Sequence, residues 1–142
     1  MADQPLRDFI FDLDGTMIKL TSGFLEPVGV AGLREVLDDA ARLGTLHICS
    51  FNYNADVILK KLKLDDRFPH DSEMVPKGDD WYKMPKWQRV IERYKLQAGQ
   101  CIAFDDDGRE IKGYREHGIR CYCVKDSDLK TAWTSYKKDT AL

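Results

Sequence analysis

A chain of 142 residues, 43% hydrophobic and 32% charged, is of one-domain size and has the balance of an ordinary soluble globule. Its net charge of −2 gives no global attraction to nucleic acid or anionic membranes. No apolar run approaches the roughly 20 residues of a membrane span. The start MADQPLRD lacks the basic and apolar stretches of a secretory leader, so a single domain over 1–142 residing in the cytoplasm is expected, as a monomer by default.

Arg7 to Asp12 is a short run rich in Phe and Ile that breaks at Asp14-Gly15, the pattern of a buried strand ending in a turn. From Thr16 to Gly29 there is room for a flap only. Val30, Leu33, Leu37, Ala40 and Ala41 recur at helical spacing before Gly44, which predicts an amphipathic helix with a stop. Thr45 to Cys49 reads as a second buried strand. Asn52 and Asn54 are cap candidates for a helix carrying Ala55, Ile58, Leu59 and Leu62 on one face. Residues 65–80 are polar and punctuated by Pro69, Pro76 and Gly78, with only Met74 and Val75 suggesting a short strand. Trp87, Val90, Ile91 and Tyr94 predict a third helix, Cys101 to Phe104 a strand, Ile111 to His117 a short helix and Ile119 to Val124 a strand. Beyond Ser127, the spacing of Leu129, Trp133 and Tyr136 is open to a docked last helix or a frayed tail.

Strands alternating with helices across short connections predict a parallel α/β sandwich with its site at the C-terminal ends of the strands. Cys49, Cys101, Cys121 and Cys123 lie in or beside apolar runs, without the C-x-x-C pairing of a zinc site, and are read as reduced core residues. His47 reads as a packed strand residue, and His70 and His117 as surface positions. Trp81, Tyr82 and Trp87 are open to lining a substrate mouth or packing the third helix.

The chemistry concentrates at three strand ends. In Phe9-Ile10-Phe11-Asp12-Leu13-Asp14-Gly15-Thr16, two carboxylates two residues apart suit a nucleophile, Asp12, and an acid/base, Asp14. An Asp-Gly turn is also common after strands with no chemistry attached. Ser50 ends the second strand just before a helix, where a hydroxyl and unpaired amides favour an anion. Asp105, Asp106 and Asp107 follow a buried strand, and their mutual repulsion calls for a hard cation held by oxygens. Asp107 also suits a helix cap.

FDLDGT resembles the first motif of the haloacid dehalogenase superfamily, h-h-h-D-x-D-G-T, at every position. The resemblance spans residues 7 to 124. It implies a Rossmann-like three-layer sandwich with a central, mainly parallel sheet and no cap domain. It also implies a Mg2+-dependent phosphomonoester hydrolase with Asp12 as phosphoryl acceptor and Asp14 as general acid/base. The metal would be held by Asp12, the main-chain carbonyl of Asp14, Asp106 and Asp105, with Glu110, where many members carry another acid, as a secondary candidate, and the phosphoryl group by Ser50, Asn52, Gly15 and Thr16. Lys77, Lys83 and Lys86 compete for the lysine of the third motif. The segment KMPKWQRVIERYKLQAGQCIAFDDD resembles the magnesium-dependent phosphatase branch, whose spacing favours Lys83.

An open site suggests a large phosphorylated substrate, a phosphoprotein or similar. The alternatives are a polynucleotide-end phosphatase, disfavoured by the lack of a basic stripe, and a catalytically weak binding module of the same fold. A response-regulator receiver domain also clusters Asp and Lys, but its phosphoacceptor follows a later strand.

Overall fold

A computed structural model describes residues 7–19, 28–50, 54–68 and 84–140. The chain runs through β1 (Arg7–Phe11), a short ribbon of β2 (Ile18–Lys19) and β3 (Val28–Gly29), and α1 (Leu33–Leu43). It continues with β4 (Gly44–Ile48), α2 (Ala55–Lys61), α3 (Lys86–Tyr94) and β5 (Cys101–Asp105), and closes with α4 (Gly108–Glu116), β6 (Arg120–Cys123) and α5 (Leu129–Asp139). The order β4-β1-β5-β6 is parallel throughout. The chain leaves β1 for β4 on one side and returns to β5 on the other, so the strand order reverses at β1, where α/β sheets form their ligand crevice.

Strand periodicity divides the core into two layers. Phe9, Phe11, Leu46, Ile48, Ile102 and Phe104 face α1, α2 and α5. Ile10, Cys101, Ala103 and Cys121 face α3 and α4. Both faces of the sheet are covered, which is why β1 and β5 read as continuous apolar runs rather than alternating ones. The three-layer α/β sandwich is the architecture the sequence implies. The first layer is dominated by rings: Phe9 meets Trp133 and Tyr136 edge-on at 5.3 and 5.4 Å, and Phe104 lies 5.7 Å from Trp133. The residues beyond Ser127 therefore form a docked helix. Asp39 ties α5 to α1 by accepting from Trp133 Nε1 and Lys137 Nζ, both at 2.8 Å. Burial opposes its charge, but these donors and Arg42 outweigh it and hold the carboxyl down at about 2.

Several elements differ from the sequence reading. In α1 the stripe is completed by Val36, which is buried, while Ala41 is exposed. Cys49, Cys101 and Cys121 are buried thiols, but Cys123 is exposed because β6 ends there at the sheet's edge. The flap after Thr16 begins and ends as the antiparallel pair Ile18↔Gly29 and Lys19↔Val28, too short for periodicity to reveal. Met74 and Val75 lie outside the described residues, as do His70, Trp81 and Tyr82. Among the described residues no helix is long and apolar enough to cross a membrane.

Replacing Phe9 with Ala removes the ring that joins β1 to α5. We expect a loss of about 3–5 kcal/mol, read as a lower urea midpoint at unchanged m-value.

Candidate active site

The register of β1 on β5 builds the site. Phe11 pairs with Phe104, their rings stacked 5.1 Å apart, so both side chains point into the α5 layer. The next residues, Asp12 and Asp105, alternate to the opposite face, on strands about 4.8 Å apart. The Asp12 N–H donates to Phe104 O at 3.0 Å and the Cys49 N–H to Phe11 O at 2.9 Å, so the pairing continues beyond the strand ends and brings Ser50 to the same rim. Ser50 is buried.

The opposite face is where α3 and α4 lie, and α3 delivers a lysine. Lys86 Nζ sits 2.5 Å from Asp12 Oδ1 and 3.4 Å from Asp105 Oδ2. All three residues are buried. Among the described residues the cation that reaches Asp12 is Lys86, the first residue of α3 and one of the three competing lysines. Lys83 and Lys77 lie outside the described residues.

Burial pushes the Asp12 carboxyl well up, with Asp105 adding to the effect and Lys86 opposing it. Asp105 is raised for the same first reason. Burial also opposes the charge on Lys86, but Asp12 and Asp105 outweigh it and hold the ammonium well above its ordinary range.

One lysine facing two buried carboxylates and a third at the rim leaves an excess of negative charge. Asp12, Asp105 and Asp106 each present an oxygen within 4.8 Å of the others, and they are the group of metal-binding geometry among the described residues. Asp105 Oδ1 accepts the Asp107 N–H at 2.9 Å, while its Oδ2 is buried and, among the described residues, has no hydrogen-bonding partner and only the longer ion pair to Lys86. An orphaned, oxygen-only corner of this kind fits a hard divalent cation. The Asp14 side chain and Glu110 are not members of the group.

The turn after β1 holds Asp12 in place. Met17 and Ile18 both donate N–H groups to Leu13 O at 3.0 Å, and the Gly15 N–H donates to Ile18 O at 2.9 Å. Thr16 is fully buried, and its hydroxyl donates to Asp12 Oδ2 at 3.3 Å. The Gly15 N–H and the Thr16 hydroxyl, both expected at the phosphate, hydrogen-bond within this segment, and the Thr16 contact orients Asp12. Asp14 is half-buried in this turn. Asn52 lies outside the described residues. A pocket of about 390 Å³ opens beside Gly15 and Asp106 and is also lined by Lys19, Asp126 and Ser127.

On the other side of Asp106, Asp107 caps α4 by accepting the Arg109 N–H at 2.9 Å, as its position suggests. Glu110 faces the start of α3, where it accepts the N–H groups of Lys86 and Trp87 at 3.3 and 3.4 Å. Burial pushes its carboxyl up, and Lys86 and these amides oppose the rise. This link was missed in the sequence because it joins residues 24 apart with no local motif. His47 is buried with Nε2 2.9 Å from Asp8, and Trp87 packs α3 instead of lining a mouth.

Comparison with solved structures finds the same fold. A haloacid dehalogenase-like hydrolase from Streptococcus pneumoniae is 13% identical with a TM-score of 0.67, over 93% of this chain and 91% of its own. D,D-heptose 1,7-bisphosphate phosphatase from B. bronchiseptica, solved with magnesium and phosphate, is 14% identical with a TM-score of 0.65, over 92% of this chain and 87% of that one. The core domain of a provisionally assigned phosphoglycolate phosphatase from Streptococcus pneumoniae is 21% identical with a TM-score of 0.59, over 88% and 84%. No family model and no curated protein matches the sequence. The chain thus has the α/β fold of haloacid dehalogenase superfamily hydrolases.

Gly15 has φ +82°, and a Cβ there would collide with the Asp106 carboxylate. Gly15→Ala should therefore cost about 1–3 kcal/mol, measured by denaturant unfolding, and a crystal structure of the variant should show Asp106 moved away from Asp12.

Proposed function

We propose that this protein is a Mg2+-dependent phosphomonoester hydrolase that works through an aspartyl-phosphate on Asp12. The observation that carries the reading is the meeting of Asp12, Asp105 and Asp106 from two strand ends with Lys86 fixed on Asp12. Mg2+ held by Asp12, Asp105, Asp106 and the Asp14 carbonyl would supply positive charge against the phosphoryl oxygens.

The chain's own residues supply the rest. An Asp12 carboxylate oxygen attacks phosphorus in line, forming an O–P bond as the bond to the leaving oxygen breaks, and the Asp14 carboxyl gives that oxygen its proton. Asp14, now a carboxylate, takes a proton from water as the water attacks phosphorus. The acyl-phosphate bond breaks, Asp12 leaves as carboxylate and inorganic phosphate is released. Lys86 and the Ser50 hydroxyl neutralise and hold the non-bridging oxygens. Thr16 keeps the nucleophile in one orientation by its hydrogen bond to Oδ2.

A large or exposed phosphorylated substrate, such as a phosphoprotein, suits this site. The internal stretches 20–27 and 69–83 are too short to hold a cap domain, which supports a bulky phosphorylated chain as substrate.

With p-nitrophenyl phosphate, Asp12→Asn should lose turnover by at least about 10³-fold, and EDTA should silence the wild type until Mg2+ is restored. Release of free phosphate is the expected product; normal turnover by Asp12→Asn would remove the mechanism, and no turnover by the wild type would favour a binding module.

Lys86→Met should likewise abolish activity in protein that remains folded by circular dichroism, while Lys83→Met should retain it. The reverse result would return the role to Lys83.

A further inference from the structure

Lys86 reaches Asp12 from an awkward place. It is the first residue of α3, where the helix dipole disfavours a cation and where the first amides have no partner inside the helix. The cap residue, Pro85, has no N–H and provides no side-chain cap. Those amides are served from a different element. Glu110, buried in the first turn of α4, takes the Lys86 N–H on Oε1 and the Trp87 N–H on Oε2. Its two oxygens are divided between successive amides, so the carboxylate fixes the direction of the helix end as well as its position, and its charge opposes the unfavourable dipole at Lys86.

A second contact holds the same pair of helices. A Cβ at Gly113 would strike the Trp87 indole, so α4 has a notch into which the second residue of α3 fits. The Trp87 ring continues onto His117, 4.4 Å between centroids, and lies 5.9 Å from Tyr114. Through this interlock the same helix whose start follows the Asp105–Asp107 turn also sets where the lysine stands.

We infer that Glu110 is a positioning residue for phosphoryl transfer, clamping the first turn of α3 so that the Lys86 ammonium is held on Asp12, and that it is not a metal ligand. The inference rests on the phosphatase reading for its kinetic consequence, but the clamp itself is measurable without catalysis.

The experiment compares wild type, Glu110→Ala and the isosteric Glu110→Gln by amide hydrogen exchange and by kinetics with p-nitrophenyl phosphate across a Mg2+ titration. In Glu110→Ala the Lys86 and Trp87 amides should lose protection while the sheet amides keep theirs. Its kcat should fall about 10- to 100-fold, the range found when groups that orient an active residue are removed, with KM and half-saturating Mg2+ within about two-fold of wild type. Glu110→Gln retains one accepting oxygen and should fall between the two, and it carries the test if the alanine variant does not fold.

Unchanged protection of both amides would overturn the inference, as would unchanged kcat in a variant whose amides are exposed. A rise of about ten-fold or more in half-saturating Mg2+ with kcat restored at saturation would make Glu110 a ligand and overturn it too. An inactive wild type would defeat the phosphatase reading instead, and exchange at the two amides would still decide the clamp.

Discussion

Everything at the site follows from one register: Phe11 beside Phe104 on parallel strands. Two large rings stacked into one layer oblige the next residue of each strand to face the other way, and both of those residues are aspartates. Neighbouring carboxylates with almost no access to water repel each other and lose hydration, an arrangement that costs several kcal/mol unless positive charge is brought to it. Lys86 supplies part of that charge. The remaining deficit is visible in Asp105 Oδ2, which has no hydrogen-bonding partner among the described residues, so the proposed cation site and the burial of the two carboxylates have one origin.

That origin also explains why much of the site could be read from the sequence. FIFDLDGT and CIAFDDD each place an apolar run directly before acids, and a run apolar on both faces can only be an interior strand. Two interior strands ending in carboxylates define the cluster without any distance being known. The parallel order and the cap at Asp107 follow from similarly local signals, whereas the spacing of Leu129, Trp133 and Tyr136 leaves the docking of the last helix open. The lysine does not. Lys83 and Lys86 are three residues apart in a stretch rich in charge and proline, and spacing cannot say which one a helix start will aim inward. Cys123 shows the same limit: it shares its side of β6 with Cys121 by alternation, but the strand ends there, so periodicity persists while cover is lost.

The likeness to hydrolases of 13 to 21% identity is understandable in these terms. What the fold itself requires is a small number of relations: apolar strands of matching length, a tight turn after the first and helices that cover both faces of the sheet. The aromatic layer of Phe9, Phe104, Trp133 and Tyr136 is one packing solution among many that fill the same volume. Sequence can therefore diverge nearly everywhere while the fold is kept, and the fold is recognised by coordinates where no family model matches.

The lysine's location has a further consequence for how the site is built. A cation on the first residue of a helix contradicts the usual charge preference of helix ends, in which acids gather at the start and bases at the finish. A sequence rule would leave Lys86 as a solvated side chain, yet it is buried. The contradiction is resolved by a carboxylate from α4 that bonds the amides of Lys86 and Trp87, so α3 does have its acid at the start, but on a neighbouring helix. A terminus capped from outside takes its position from the neighbour, and here that neighbour begins immediately after the Asp105–Asp107 turn. Carboxylates and counter-charge are thereby referenced to one rigid unit, β5 with α4, rather than to the long segment that precedes α3. In this arrangement the distance between Lys86 and Asp12 is referenced to α4 through the Glu110 contacts to the first turn of α3.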